Sequence, residues 1–315
     1  MAKVLYFLEI LYRSGLFFHN LKKCCPIPAL VISVGNITTG GTGKTEIAIK
    51  IAEYLSANEK CAILSRGYKG KREGLVKSEN GFMDVGDEPA MMKARTNISI
   101  LVGKDRVQQA KWAIENLGIQ RFILDDGFQY RGLKIDQNIL LINGNNPFGN
   151  GHLLPCGILR EPLSSISRAD VVIVTKKRNA EAIETIKRFN QKAPIFFAWY
   201  KPKALIDTKG NKMPIETIKN KKVLALSGIA DPAYFEDELS SLGADLEPLR
   251  FPDHHSFSKK DIEAIKRKAT RFEFVVSTLK DKARLEERLE ALFLSIELMI
   301  DDGFFEYIPT NKSAV

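Results

Sequence analysis

The feature that most constrains this chain is a strand, a glycine loop and a helix in immediate succession. Ala29-Leu-Val-Ile-Ser-Val-Gly35 is an apolar run rich in β-branched residues, and it reads as a buried parallel strand. Residues 36–43 form a Gly/Thr-rich loop, and residues 44–55 place Ile47, Ala48, Ile51, Ala52 and Leu55 on one helical face. The junction reads Gly40-Gly41-Thr42-Gly43-Lys44-Thr45. Glycines there let backbone N–H groups turn inward around phosphate oxygens, and the helix that follows aims its positive end at the same place. Lys44 is placed to reach β- and γ-phosphates, and Thr45 to offer a hydroxyl to Mg²⁺. The usual pattern begins with a glycine where this chain has Thr38, which we include in the nucleotide-binding set.

A phosphate loop of this type requires a carboxylate at the end of a neighbouring buried strand, to hold Mg²⁺ through its water shell. Phe122-Ile-Leu-Asp125-Asp126-Gly127 meets that need, with Asp125 and Asp126 as the metal-site acids. A second run, Leu298-Met-Ile-Asp301-Asp302-Gly303, has the same pattern, but chain order favours the first. Asp87, in Val85-Gly-Asp-Glu-Pro89, precedes a helical stretch and by its residues alone fits a helix N-cap. Asp253-His254-His255 falls in a loop, where a histidine pair fits a metal ligand, a base or a solvated turn.

Further strands are expected at 61–65, 98–102, 122–124, 139–142 and 171–175, with a helix over 105–117. Strands alternating with helices give an α/β fold with a doubly wound, mostly parallel sheet. Residues 194–200 and 203–207 read as two strands of a β linker. A second, smaller α/β domain follows, with strands at 222–228, 272–277 and 295–299 and helices at 232–242, 259–270 and 282–292. The expected organisation is therefore an N-terminal helix over 1–28, a phosphate-loop domain over 29–193, a linker over 194–220 and a second domain over 221–315.

Among the 315 residues, 47 Lys+Arg against 38 Asp+Glu give a net charge of +9, which favours an anionic partner. The basic residues are dispersed rather than gathered in a stripe with aromatics, so nucleic acid is not the expected partner. Cys24, Cys25, Cys61 and Cys156 have no chelating spacing and read as reduced thiols. Residues 4–18 are strongly apolar, but Glu9 and Arg13 interrupt them and Lys22 and Lys23 follow. That excludes a transmembrane span and leaves an amphipathic helix, suited either to a membrane interface or to the protein's own core.

Several segments in order resemble the tetraacyldisaccharide 4'-kinase family of lipid A biosynthesis. They are Ser33-Val-Gly-Asn36 with Gly40–Thr45, Leu64-Ser-Arg-Gly-Tyr68, Val85–Pro89, Ile123-Leu-Asp-Asp-Gly-Phe-Gln129, 153–162, Phe251-Pro-Asp-His254 and Thr278-Leu-Lys-Asp281. The resemblance implies transfer of the γ-phosphate of ATP to the 4'-hydroxyl of a tetraacylated glucosamine disaccharide 1-phosphate. It implies a peripheral enzyme on the cytoplasmic face of the inner membrane. No obligate protein partner is expected. The resemblance implies that Asp87 is the base and His254 its partner, brought together from two domains, with Lys44 and Asp126 completing the catalytic group. Arg106, Gln129, Arg160 and Glu161 fall in segments similar to the family's acceptor-binding surroundings. It also turns the N-terminal helix towards an anionic lipid surface. Two residues depart from the family pattern: Tyr130 stands where histidine is common, and Cys156 where a small residue is common. The alternative is a phosphate-loop ATPase that drives assembly or metal delivery without a phosphoryl acceptor.

Overall fold

The structure is a computed structural model and describes residues 8–9, 11–16, 24–57, 59–68, 70–77, 82–253, 255–285 and 287–310. They fall into two compact units, Met1–Trp199 with Ile300–Val315, and Tyr200–Met299.

The first unit is built on strands β1 (Leu30–Asn36), β2 (Cys61–Ser65), β3 (Gly74–Leu75), β4 (Ser99–Val102), β5 (Arg121–Asp125), β6 (Gln137–Asn143) and β7 (Val171–Thr175). Their order is β7-β6-β1-β5-β2-β4-β3. All neighbours run parallel except β3, which is antiparallel to β4. Every residue of β1, β2, β5 and β7 is buried, as expected of strands covered on both faces. Helix α1 (Lys44–Ser56) packs on β1, β2 and β5. Helix α2 (Asp87–Arg95) lies against β4. Helix α3 (Arg106–Leu117) buries Ala110 and Ala113 in a cluster with Val31, Leu64, Leu101 and Phe122. Helix α4 (Ala180–Phe189) buries Ala182 and Ile186 against Leu140, Val172 and Val174. Because β1 lies between β5 and β6, the loop that follows it opens at the carboxyl ends of the strands where connections diverge, the usual ligand position of such sheets.

Where two strands were expected between 194 and 207, the chain forms one, β8 (Ile195–Ile206). Pro202 removes one N–H donor but leaves the extended backbone uninterrupted. Residues 195–198 of β8 pair with β7, and Leu205 and Ile206 pair antiparallel with β9 (Lys212–Met213).

In the second unit, β10 (Lys222–Ser227), β11 (Asp245–Arg250), β12 (Phe274–Thr278) and β13 (Leu292–Ile300) lie parallel in the order β11-β10-β12-β13. Side-chain alternation along β10 feeds two cores. Val223 and Ala225 join Phe235 and Leu239 of α5 (Pro232–Ser241), while Leu224 and Leu226 join Ile262 and Ile265 of α6 (Lys259–Ala269). Two expectations fail here. The helix expected over 282–292 is instead α7 (Leu279–Leu285), and β13 begins at Leu292. Leu285 and Leu289 keep helical spacing, yet the chain turns between them to put Phe293 into the same core. Strand β11 was not expected, because Pro248 and its charges disguise it; those are the marks of a sheet edge.

Residues 300–310 return to the first unit. Phe304 is fully buried and meets the Phe196 ring edge-on at 5.5 Å. Arg121 and Gln137 donate side-chain hydrogen bonds to the carbonyls of Thr310 and Tyr307.

Candidate active site

Strand β1 ends at Asn36, and the chain then crosses a short loop to Gly43, the residue before α1. Gly43 has φ 83°, in the left-handed region that glycine adopts without a Cβ clash, and this turn starts the helix at Lys44. The Thr42 hydroxyl is buried and has no hydrogen-bond partner among the described residues. Thr45 is buried in the first turn of α1. Thr38 is buried too, and its backbone bridges that of Leu159. Beside it, Thr39 N–H donates to the Ile158 carbonyl at 2.8 Å, and Arg160 N–H donates to the Ile37 carbonyl at 2.7 Å. Segment 152–160 therefore braces the start of the loop.

Strand β5 runs beside β1 in register, Val34 opposite Asp125. Asp126 follows with φ 51°, and Gly127 makes the tight exit: a Cβ there would lie 2.6 Å from that of Leu124 and 2.8 Å from the Ser33 hydroxyl. The two acids are thereby separated in role. Asp126 receives two cations. Arg160 grips it through Nη1 at 2.8 and 3.1 Å and Nη2 at 3.1 Å, and Lys44 Nζ stands at 3.7 Å. Burial raises its proton affinity, but Lys44 and Arg160 outweigh burial and hold the carboxyl below the ordinary range. Asp125 is buried, and its Oδ1 has no hydrogen-bond partner among the described residues. Its Oδ2 accepts a long bond from Ser65 Oγ at 3.5 Å. Burial, then the charges of Glu88 and Asp126, push it up to about 7 against the pull of Lys44 and Arg106.

Arg106 opens α3 and is buried, its guanidinium 5.0 Å from the centre of the Tyr130 ring and its Nη1 without a hydrogen-bond partner among the described residues. Tyr130 thus gives Arg106 a π face. Gln129 donates to the Asn36 carbonyl at 2.8 Å and to Glu161 at 2.9 Å. Glu161 is held in turn by Ser165 at 3.0 Å and by Arg168 at 2.8 Å. Arg168 and Ser165 were missed from sequence, because they sit on a short 3₁₀ turn, Leu163–Arg168, with no amphipathic period to mark them.

The structure brings together Lys44, Asp125, Asp126, Arg106, Gln129, Arg160 and Glu161 around the loop 38–45. Asp87 is the first residue of α2, and the N-cap is Gly86. The cap reading of Asp87 is therefore wrong by one residue. Glu88 is near enough to shift Asp125, which ties the start of α2 to the acids; sequence reasoning had not singled it out. His254 lies outside the described residues. The look-alike acid Asp301 accepts a hydrogen bond from Phe197 N–H at 2.8 Å and pairs with Arg178.

The donor set suits a phosphate-bound divalent cation. Asp125 is a buried carboxylate with an unused oxygen, and the unused donors of Thr42 in the loop and of Arg106, which interacts electrostatically with both acids, suit the phosphates. Among the described residues there is no group of three or more His, Cys, Asp and Glu that could hold a metal by protein ligands alone.

Known proteins are similar to this chain over nearly its whole length. The model of the family described as tetraacyldisaccharide-1-P 4'-kinase matches residues 1–311. The tetraacyldisaccharide 4'-kinase of Syntrophus aciditrophicus is 37% identical over 95% of this chain and 89% of its own length. That of Pelobacter propionicus is 37% identical over 95% and 87%. The crystal structure of the "apo" form of LpxK from Aquifex aeolicus in complex with ATP superposes with a TM-score of 0.68 at 30% identity, covering 95% of this chain and 91% of that one. With the loop, the paired acids and the Arg160 clamp in place, this chain belongs to the tetraacyldisaccharide-1-phosphate 4'-kinase family.

Proposed function

We propose that this protein is a kinase that transfers the γ-phosphate of ATP to the 4'-hydroxyl of a tetraacylated glucosamine disaccharide 1-phosphate, a step of lipid A biosynthesis. The observation that carries this reading is the convergence of Lys44 and Arg160 on Asp126, beside the buried Asp125, in a chain whose relatives share that activity by name over 95% of its length.

Backbone N–H groups of residues 40–45 bind the phosphates, helped by the positive end of α1. Lys44 neutralises charge on the β- and γ-phosphates, and Arg160, which shares Asp126 with it, stands ready to do the same. Thr45, Asp125 and Asp126 would hold Mg²⁺, which supplies electrostatic stabilisation of the transferring group. The acceptor oxygen bonds to γ-phosphorus as the bond to the β–γ bridging oxygen breaks, so ADP leaves. The hydroxyl proton passes to Asp87. Gln129 and Glu161, a hydrogen-bonded pair, and Arg106 are the residues we assign to the acceptor sugar and its phosphate. Catalysis is then mainly positioning and fixed charge.

The acceptor is a lipid, so the enzyme acts at the inner membrane's cytoplasmic face as a peripheral protein. Its N-terminal segment and its +9 charge favour an anionic surface. Among the described residues no helix is long and apolar enough to cross a membrane. The test is transfer of labelled γ-phosphate to the acylated disaccharide 1-phosphate in micelles. Label appearing only as free phosphate would support the ATPase reading instead.

A further inference from the structure

The N-terminal segment makes polar contacts that lead to the active site. Residues 11–16 are helical, and Tyr12 and Leu16 pack on the core formed by Phe148, Leu153 and Leu159. Leu8 and Leu11 remain 41% and 52% exposed. On the inward side, Tyr12 Oη donates to the Arg160 carbonyl at 3.0 Å. Glu9 Oε1 accepts from Leu153 N–H at 3.1 Å, and its Oε2 meets His152 Nδ1 at 3.3 Å. The Leu153 amide holds the Glu9 carboxyl below its ordinary range, so Glu9 accepts as a carboxylate. Cys156, one of the two departures from the family pattern, also bonds to Glu9.

Segment 152–160 is thus held from two sides. Glu9 and Tyr12 hold one side, and the start of the phosphate loop holds the other through Ile37 and Thr39. Its last residue is Arg160, whose guanidinium grips Asp126. The backbone carbonyl that Tyr12 fixes and the cation that faces the acids therefore belong to the same residue, Arg160. An apolar segment serving only as an anchor needs no carboxylate and no phenol aimed at one loop. A carboxylate at such a position carries a desolvation cost that simple anchoring would avoid.

We infer that Glu9 and Tyr12 are positioning residues for Arg160, which couple the seating of the N-terminal segment on a lipid surface to the Arg160–Asp126 clamp. The inference rests on the lipid-kinase reading for its meaning, and extends it: the surface that presents the acceptor also sets the catalytic cation.

The experiment uses the full chain, wild type beside the double variant Glu9→Ala/Tyr12→Phe, with vesicles of anionic phospholipid. Hydrogen exchange of the 152–160 amides and γ-phosphate transfer in micelles are both followed. In the wild type, vesicles slow exchange across 152–160; in the variant they do not. The variant loses roughly ten-fold in kcat, the scale of one or two hydrogen bonds, while KM for ATP and vesicle binding stay within about two-fold. Unchanged kcat with unchanged vesicle-induced protection overturns the inference, as does a kcat loss that merely follows lost vesicle binding. If the wild type fails to transfer phosphate at all, the kinase reading falls, while the exchange measurement still decides the coupling.

Discussion

Arg160 binds Asp126 in a fork, with Nη1 and Nη2 reaching the same carboxylate at 2.8–3.1 Å, while Lys44 of the phosphate loop stands 3.7 Å from it on the loop side. One acid thus orders two cations that come from segments more than a hundred residues apart in sequence. A fork of this kind depends on the planar guanidinium, which lysine cannot imitate. Arg160→Lys should therefore keep the charge and still lose on the order of ten- to hundred-fold in kcat/KM, with the melting temperature close to wild type. Steady-state kinetics in micelles provide the check, and an Arg160→Lys enzyme as fast as wild type would remove the fork from the account.

Asp125 exchanges stability for function. Burial, Glu88 and Asp126 raise its folded-state pKa from the ordinary 3.8 to about 7. A carboxyl raised in this way favours folding fully below its unfolded pKa, and that contribution is lost as pH rises through the folded value. At pH 8 without ligand, Asp125→Asn should therefore be the more stable protein, by roughly 1–3 kcal/mol, the cost of an uncompensated buried polar group. The variant should transfer little phosphate. Mg²⁺ with ATP should raise the wild-type melting temperature more at pH 8 than at pH 6. Thermal melts of both proteins at both pH values test this, and a destabilised Asp125→Asn at pH 8 would contradict it.

Cysteine reactivity should follow burial. Cys61 lies in β2, and burial pushes its thiol up to about 12 despite the nearby Arg121. Cys24 is exposed. A thiol reagent at pH 8 should modify Cys24 quickly and reach Cys61 only at the rate of unfolding. Mass mapping of the labelled peptides over time reads this directly.

The segment after β13 should be indispensable to the first unit. Phe304 is fully buried, against Phe196 and Phe305. Phe304→Ala should cost about 3–5 kcal/mol, the usual range for a buried aromatic. Denaturant unfolding measures it, and a loss under 1 kcal/mol, roughly the scale of a surface change, would show that the return segment is only draped on the unit.

Much of this was legible in the residues. Strand β1, the glycine loop and α1 announce themselves, because phosphate chemistry demands local residue types in a fixed order. The same holds for β5 with Asp125 and Asp126. What could not be read locally was decided by distant partners. Leu292 and Phe293 continue a helical pattern in sequence, yet sheet pairing and two opposed cores make them strand. Edge strand β11 carries a proline and charges that mask it. The return of Phe304 to the first unit leaves no mark in its neighbours. In the site, Arg168 and Ser165 were invisible because they act through Glu161, and Glu88 because it acts through Asp125. Tyr12 falls in the apolar run 4–18, but its hydroxyl bond to the Arg160 carbonyl spans 148 residues.

A lipid kinase whose acceptor proton goes to Asp87 must fail when that carboxylate is removed. The most direct test is transfer of labelled γ-phosphate to the acylated disaccharide 1-phosphate by the wild type and by Asp87→Ala, with ATP binding measured on both. The wild type should place a new phosphate at the 4'-hydroxyl, and Asp87→Ala should fall at least roughly a hundred-fold in kcat with ATP affinity retained. Wild-type protein that binds ATP and leaves the acceptor unlabelled, or an Asp87→Ala enzyme with wild-type kcat, would contradict it.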